Sequence, residues 1–447
     1  MTATDSKDKM SREGKIIVTA ICVGLIVDGM DLQMLALALP SIMKELKLSN
    51  VVGGAIATLT LLGMGIGGSM AGWLSDRMGR IRVTFWAIFL FTAGTGLIAA
   101  CQSYWQIALI RFISGFGIAA VYSVGLTLAS EYIPTKIRST IMGIMQAGWS
   151  LGYVLAAILS TYVLPNLGWR SLFLCAILPG IVTLWMLWGH KDSPSWLANR
   201  DVIRKSGIKQ KNEFARIWAD KSVRRTFIAW SLTAIALQFG YYGANTWLPS
   251  YLVKDLGVNL KNMGWFIAAT YTATVVGKIL AGWLGDVFGR RIIWVIGGIA
   301  TAVTLPMIIY FATPGNVAYL LLIFGLLFGT PYGLNSQYLS ESFPTSIRGT
   351  AVATAYNMGR IGSMVSPLMI GFVSVQYSIA FGISLLGIAY AICAVIPGIF
   401  IPDKMFDPKA LIVESPPHSQ PQPALKTWHD MHEPTAVTVE NAAVEPA

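Results

Sequence analysis

Charged residues are scarce in this chain: lysine, arginine, aspartate and glutamate make up 12% of its 447 residues, whereas 54% are hydrophobic. A soluble protein of this length could not bury so much apolar surface, so the composition excludes an ordinary soluble domain. Apolar runs long enough to cross a bilayer recur along the whole chain. We predict twelve membrane helices, at residues 15–39, 51–73, 83–102, 105–130, 140–163, 171–189, 226–249, 262–284, 292–312, 317–339, 350–374 and 379–401.

Cysteine and histidine are equally rare, with four of each. Cys22, Cys101, Cys175 and Cys393 lie in apolar segments without metal-ligand spacing, so we interpret them as small buried side chains and predict neither disulfides nor a metal site. The sequence also lacks a nucleotide-binding loop and a nucleophile–base arrangement. We therefore predict no cofactor and no enzymatic activity. The polar first twenty residues carry no signal-peptide pattern.

The excess of positive charge, +11 overall, is unevenly distributed. If the N-terminus is cytoplasmic, most lysines and arginines fall in cytoplasmic segments. The external loops then hold only Lys44, Lys47, Arg170, Lys254 and Lys261. This is the positive-inside pattern, which explains the net charge without a nucleic-acid partner, and the basic face would attract anionic lipid. It predicts a multi-pass protein of the plasma membrane, most simply a bacterial inner membrane, with both termini in the cytoplasm.

The sequence repeats itself at an offset of 210 residues. Residues 72–80, GWLSDRMGR, return at 282–290 as GWLGDVFGR, and residues 131–140, EYIPTKIRST, return at 341–350 as ESFPTSIRGT. A weaker echo relates residues 44–46 to residues 254–256. Three matches in one register indicate two homologous halves. In an apolar chain, two such halves predict a transporter with its substrate between them.

The repeat and the polar stretches divide the chain into five parts. We predict an all-α membrane protein with two pseudo-symmetric six-helix bundles at 15–189 and 226–401. The connecting parts are a cytoplasmic N-terminal segment (1–14), a cytoplasmic linker (190–225) with an amphipathic surface helix near 212–222, and a disordered cytoplasmic tail (402–447). The tail is rich in proline and holds most of the histidines, so solvated disorder is favoured there over a metal site.

The repeated loop combines glycines, which permit tight turns, with an aspartate and arginines that can form ion pairs. We predict a charged latch that joins helices in one conformation and releases them in another. The alternative is a positively charged loop that only sets topology. The predicted latch residues are Gly72, Asp76, Arg77, Gly79, Arg80, Glu131, Arg138, Asp286, Arg290, Glu341 and Arg348.

The spacing of residues 72–80 resembles the signature loop of the major facilitator superfamily. Arg111 followed by Gly115 resembles the second motif of that superfamily. The resemblance covers all twelve predicted helices and implies two bundles, a central cavity and alternating access by rocking. Val287 stands where the first copy has Arg77, which implies a weaker or differently partnered second latch.

Five ionisable residues fall inside the predicted helices: Asp28, Asp31, Arg111, Lys278 and Arg360. A charge in the membrane is costly, so each is a functional hypothesis. Asp28 and Asp31 lie on one helix face, and two close carboxylates in a low dielectric resist double ionisation. We expect one of them to hold a proton near neutral pH and predict that the pair couples transport to protons. The alternative is a structural pair held by a neighbouring arginine.

The basic members of this set receive different interpretations. Arg360 can grip a carboxylate bidentately, so we predict that it binds an anionic substrate; a permanent ion pair with Asp28 or Asp31 is the alternative. For Arg111, the family parallel implies proton transfer or stabilisation of one conformation, and a structural hydrogen-bond hub is the alternative. Lys278 is expected to extend toward the cytoplasmic interface.

Two segments narrow the range of possible substrates. The Asp28–Asp31 segment and the Asn357–Gly362 segment resemble those of aromatic acid:proton symporters, including carriers of cis,cis-muconate. The resemblance implies proton-coupled import of benzoate-type acids or muconate for aromatic hydrocarbon catabolism, by a protein that acts as a monomer. The predicted substrate contacts are Arg360, Asn357, Gln238, Tyr241 and Tyr356. The alternatives are a symporter of sialate or another carboxylate, a sugar carrier, a receptor, and a drug:proton antiporter, although the fifth-helix Gly-Pro motif of that last group is missing.

Overall fold

The computed structural model describes residues 10–134, 138–192, 217–344 and 347–403, and every regular element in these ranges is helical. The first half contains α1 (Arg12–Glu45), α2 (Asn50–Met78), α3 (Arg80–Ile98), α4 (Tyr104–Ala120), a π-helical turn (Val121–Gly125), α5 (Leu126–Tyr132), α6 (Arg138–Cys175) and α7 (Ile177–Leu187). The second half contains α8 (Lys221–Lys254), α9 (Leu260–Phe288), α10 (Arg290–Phe311), α11 (Val317–Phe328), α12 (Thr330–Glu341), α13 (Arg348–Gln376), α14 (Ile379–Ser384) and α15 (Leu386–Phe400).

The twelve predicted apolar runs all coincide with helical segments. Ten stretches in the described residues are long and apolar enough to span a membrane. One of them, Ile144–Leu187, holds most of the fifth and sixth predicted runs, because the helix is broken there only by the kink at Gly168, with φ 77°, and by the turn at Ala176. The seventh run lies in α8, which is absent from the ten because polar side chains such as Gln238 and Asn245 lower its hydropathy. The predicted all-α membrane fold is confirmed.

The boundaries of the predicted parts are only partly visible. Helix α1 begins at Arg12, inside the segment assigned to 1–14. Residues 212–216 of the predicted surface helix and the predicted tail beyond Asp403 lie outside the described residues, whereas residues 217–219 are helical. The five-part division of the chain therefore stays a prediction.

Each half packs through long helix pairs, and three further pairs join the halves. Within the halves, α1 packs against α6 and α2 against α4, while α8 packs against α13 and α10 against α15. Between them, α2 contacts α13, α6 contacts α9 and α1 contacts α8. We call the end with Gly79 and Gly289 the motif end, and the end with the turns at 46–49 and 255–259 the far end.

The two motif loops owe their shape to a glycine and a carboxylate. Gly79 (φ 105°) and Gly289 (φ 94°) adopt backbone angles that L side chains rarely reach, and each directly joins two helices. The first turn of each following helix has unpaired amides. Asp192 Oδ1 accepts from Ile81 N at 2.7 Å, and Asp403 Oδ1 accepts from Arg291 N at 2.7 Å. Sequence reasoning missed both aspartates, since they lie more than a hundred residues from the loops they stabilise.

The predicted latch residues form equivalent ion pairs in the two halves. Arg80 pairs with Glu131, and Arg290 Nη2 lies 3.1 Å from Glu341 Oε1 at the same offset of 210. Arg290 also contacts Asp286 at 3.1 Å. Each of these pairs lies within one half, so they fasten helix ends inside a bundle. Their release during a conformational change stays a prediction.

The remaining latch residues are placed less uniformly. Arg77 stacks its guanidinium over the Trp73 ring at 3.9 Å, and Arg348 Nε donates to the Phe343 carbonyl at 3.1 Å. Gly72 faces open space. The side chains of Asp76 and Arg138 lie outside the described part of the structure.

The weak echo at 44–46 and 254–256 also has a structural basis. Glu45 accepts hydrogen bonds from Trp169 Nε1 and Arg170 Nη1, both at 2.6 Å. Asp255 accepts from the amide of Ala380 at 2.8 Å, and Ala380 is the counterpart of Arg170 in the repeat. Each carboxylate thus fastens the end of the first helix of its half to the start of the sixth membrane-spanning stretch of that half.

Candidate functional site

A cavity of about 540 Å³ lies between the two halves. Small-molecule sites commonly have volumes of this order. Helices of both halves contribute to its wall, which combines one carboxylate, two cations, amides and a large share of aromatic rings. The principal lining residues are Asp28, Tyr122, Gln146, Trp149, Ser150, Tyr241, Tyr242, Lys278, Tyr332, Gln337, Tyr356 and Arg360.

Asp28 lies in this wall, on α1. The neighbouring Gly29 packs against the backbone carbonyl of Trp149, so α1 and α6 approach closely at this level. Asp28 is 1% exposed, and its Oδ1 has no hydrogen-bond partner among the described residues. Its electrostatic neighbours include Asp31, Arg360 and the Trp149 indole. A buried carboxylate with an unpaired oxygen beside a cavity is suited to exchange a proton.

Asp31 has a different environment, and the predicted pair is divided. Its Oδ2 accepts from Arg111 Nη1 at 2.6 Å, and its Oδ1 accepts from Thr95 Oγ1 at 2.6 Å. Asp31 and Arg111 are both 0% exposed, and the guanidinium lies 5.0 Å from the Phe173 ring centre. These contacts join α1, α3, α4 and α6 inside the first half. They match the structural alternatives given above for Asp31 and for Arg111.

Arg360 projects from α13 into the cavity. Its Nη1 donates to the Tyr242 hydroxyl at 3.5 Å. None of the ion pairs found among the described residues links Arg360 to Asp28 or Asp31, which were its alternative partners. Its guanidinium therefore has donors directed toward the cavity, where an anion can reach them.

Aromatic rings form a continuous wall around Tyr241. Its ring is stacked with Phe328 at 5.0 Å between centroids, lies 6.2 Å from Trp149 at an angle of 27°, and is 4.4 Å from Tyr332. Tyr356 also lines the cavity. Flat apolar walls of this kind suit a planar or conjugated ligand.

Two predicted substrate contacts do not line the cavity. Gln238 is 1% exposed and donates from Nε2 to the Tyr356 carbonyl at 2.9 Å, so it supports the wall from behind. Asn357 is exposed on α13 and is not part of the cavity lining, which includes Arg360. Residues three apart on a helix differ by about 60° in direction, and the resemblance alone could not resolve this difference.

Lys278 corrects another expectation. We expected it to extend toward the cytoplasmic interface, but it lines the cavity and donates from Nζ to Ser150 Oγ at 2.7 Å. Lys278 lies ten residues before the end of α9 at Phe288, or about 15 Å at ~1.5 Å per residue, so it is deeper in its helix than the predicted helix end at residue 284 implied.

The halves are joined on the far side of the cavity. The Tyr271 hydroxyl of α9 lies 2.6 Å from Asn245 Oδ1 on α8 and 3.1 Å from Gln33 Oε1 on α1. Nearer the far end, Thr58 Oγ1 donates to the Met364 carbonyl at 2.7 Å. These contacts separate the cavity from the far end.

Comparisons with known proteins agree on one family. The profile of the Major Facilitator Superfamily matches residues 21–269 and 231–437. The chain is 43% identical over 409 residues to the cis,cis-muconate transport protein of Acinetobacter baylyi, covering 90% of this chain and 99% of that protein. It is 28% identical over 392 residues to the sialic acid transporter NanX of Escherichia coli, covering 86% and 93%. The crystal structure of a D-xylose-proton symporter shares the fold, with a TM-score of 0.72, 22% identity, and coverage of 87% and 98%.

Proposed function

The chain belongs to the Major Facilitator Superfamily and is a multi-pass membrane transporter, and we propose that it imports small organic acid anions together with protons. The observation that carries the proposal is that Asp28 of the first half and Arg360 of the second face one cavity. The aromatic wall and the 43% identity to a muconate transport protein favour aromatic acids or cis,cis-muconate. Sialate or another carboxylate is the second candidate, and a drug:proton antiporter ranks below both.

In this proposal one side of the cavity binds the substrate and the other side takes up the proton. The Arg360 guanidinium holds a substrate carboxylate through charge-assisted hydrogen bonds. Asp28 takes up a proton, which removes a buried negative charge near the bound anion. When the halves rock, the cavity with its bound substrate and proton becomes accessible from the other side of the membrane. We assign the coupling to Asp28, and we assign to Asp31, through its pair with Arg111, the role of positioning α1.

Topology is inferred from charge. Most of the lysines and arginines that the structure describes lie at the motif end, so we place this end on the cytoplasmic side of a bacterial inner membrane. We propose that the protein acts as a monomer.

The test is uptake of cis,cis-muconate and benzoate by proteoliposomes. An inward proton gradient is expected to drive accumulation, and an uncoupler to abolish it. Asp28→Asn is expected to lose accumulation while retaining exchange of internal for external substrate, because exchange needs no net proton movement. Asp220→Asn is the matched control, since Asp220 is an exposed N-cap at which asparagine serves equally well. Wild-type uptake that ignores the proton gradient would contradict proton coupling.

A further inference from the structure

The cavity contains a second cation that the proposed mechanism leaves without a role. Lys278 lies in the same wall as Arg360, and its Nζ lies 5.7 Å from the Tyr332 ring centre. Its direct hydrogen bond is to the neutral hydroxyl of Ser150, at 2.7 Å. None of the ion pairs among the described residues includes Lys278. An ammonium group placed in a membrane protein without a carboxylate partner is costly unless an anion binds there.

The charges of the described cavity wall do not balance without a ligand. Arg360 and Lys278 contribute two positive charges, whereas Asp28 contributes at most one negative charge. A bound monoanion with a protonated Asp28 leaves one positive charge uncompensated. A dianion with a protonated Asp28 compensates both cations. Charge balance therefore favours a ligand with two carboxylates.

A chain of contacting tyrosine rings connects the two cations. Lys278 is next to Tyr332, the ring centres of Tyr332 and Tyr241 are 4.4 Å apart, and those of Tyr241 and Tyr242 are 5.5 Å apart. The Tyr242 hydroxyl is the group that accepts from Arg360. Because the rings are inclined to one another by 50° and 79°, a flat ligand would lie against one ring of this chain, with Lys278 at one end of the chain and Arg360 at the other.

We propose that Lys278 is a second carboxylate-binding residue, and that the cavity selects flat, conjugated dicarboxylates over monocarboxylates of the same size. The inference rests on the proposed function, because it assumes that Arg360 binds the first carboxylate. The inference makes Lys278 a specificity-determining residue, because it distinguishes a dicarboxylate from a monocarboxylate by binding the second carboxylate of the ligand.

The test compares two six-carbon dienes by calorimetry on purified protein in nanodiscs. cis,cis-Muconate carries two carboxylates, and hexa-2,4-dienoate carries one. Lys278→Met is expected to raise the Kd for muconate by roughly tenfold or more, the loss expected for a charge-assisted hydrogen bond. The Kd for hexa-2,4-dienoate is expected to change less than about twofold, because that acid has no group for Lys278 to bind. Lys278→Gln is a second neutral variant, and Lys278→Arg is expected to restore the preference.

A control variant separates this role from a general effect of removing a lysine. Lys261→Met removes an exposed lysine of the same helix, and its selectivity is expected to equal that of the wild type. Equal losses for both acids in Lys278→Met would overturn the inference. Wild-type protein that binds neither acid would instead overturn the proposed function, and the inference with it.

Discussion

The ion pair between Asp31 and Arg111 makes a strong prediction about stability. Both side chains are fully buried, their shortest contact is 2.6 Å, and two further nitrogens of Arg111 have no hydrogen-bond partner among the described residues. Asp31→Asn removes the charge that compensates the guanidinium. Arg111→Met strands the carboxylate with one hydroxyl partner, Thr95. Each substitution therefore leaves an uncompensated charge in the core of the first half.

The size of the effect follows from the cost of such a charge. Removing one partner of a buried ion pair typically costs about 3–5 kcal/mol, which is a large part of the stability of most domains. The double variant Asp31→Asn with Arg111→Met leaves no stranded charge and is expected to recover part of that loss. Asp28→Asn is expected to unfold like the wild type, because the unpaired Asp28 oxygen compensates no buried cation by direct contact.

The assay is unfolding of purified protein in mixed micelles of increasing sodium dodecyl sulfate, followed by intrinsic tryptophan fluorescence. The two single variants should unfold at clearly lower denaturant fractions than the wild type. The double variant should lose less stability than the sum of the two single losses. Wild-type stability of Asp31→Asn would refute the structural role. Additive losses in the double variant would refute the pairing itself. Equal destabilisation by Asp28→Asn would show that the two aspartates act as one unit, contrary to their separate environments.

Other substitutions test single contacts of the structure. Arg360→Lys keeps the charge but loses the planar fork, so the Kd for muconate, measured by calorimetry, is expected to rise by roughly tenfold. Gly79→Ala places a side chain on a left-handed residue that touches a neighbouring carboxylate, and it is expected to cost about 1–3 kcal/mol of unfolding free energy. Gly72→Ala, where an added methyl group inside α2 meets nothing within 4 Å, is expected to stabilise the protein by about 0.5–1 kcal/mol in the same denaturant assay. Lys254→Met removes the 2.9 Å hydrogen bond to Asn50 between the halves, and it is expected to increase thiol labelling of a cysteine introduced at the far end. Unchanged affinity, equal effects of the two glycine variants, or unaltered labelling would contradict the respective contact.

Apolar runs and the internal repeat were sufficient to predict the fold. Apolar runs reflect the lipid environment, and the repeat reflects the similarity of two parts of one chain, so both can be read from a single sequence. The sequence analysis expected the glycines of the two motif loops to permit tight turns, and the structure has such turns at Gly79 and Gly289, both with positive φ. The aspartates that cap the following helices were missed. Their contacts depend on how chain segments far apart in sequence pack together, and neither Asp192 nor Asp403 stands in a recognisable motif.

The site was less predictable, because depth in the membrane does not determine which way a side chain faces. Asp28 and Asp31 lie one turn apart, yet one lines the cavity and the other is held by Arg111, eighty residues away. A difference of about 60° between residues three apart on an α-helix is enough to separate these environments. The same rotation places Arg360 in the cavity and leaves Asn357 outside it.

The symmetry of the chain holds at the ends of the helices and fails in the middle. Arg80 with Glu131 and Arg290 with Glu341 are equivalent pairs, and each fastens its own half. In the cavity, by contrast, the described carboxylate comes from the first half and both cations come from the second. Equivalent ends allow the two halves to move as similar rigid bodies. In the proposed mechanism, rocking of the halves changes the distance between Asp28 and the two cations, so the charge of the bound ligand and the proton on Asp28 act on the same conformational equilibrium. The proposed coupling therefore depends on this asymmetry, and a variant that moved the carboxylate to the second half would be expected to bind substrate without being driven by protons.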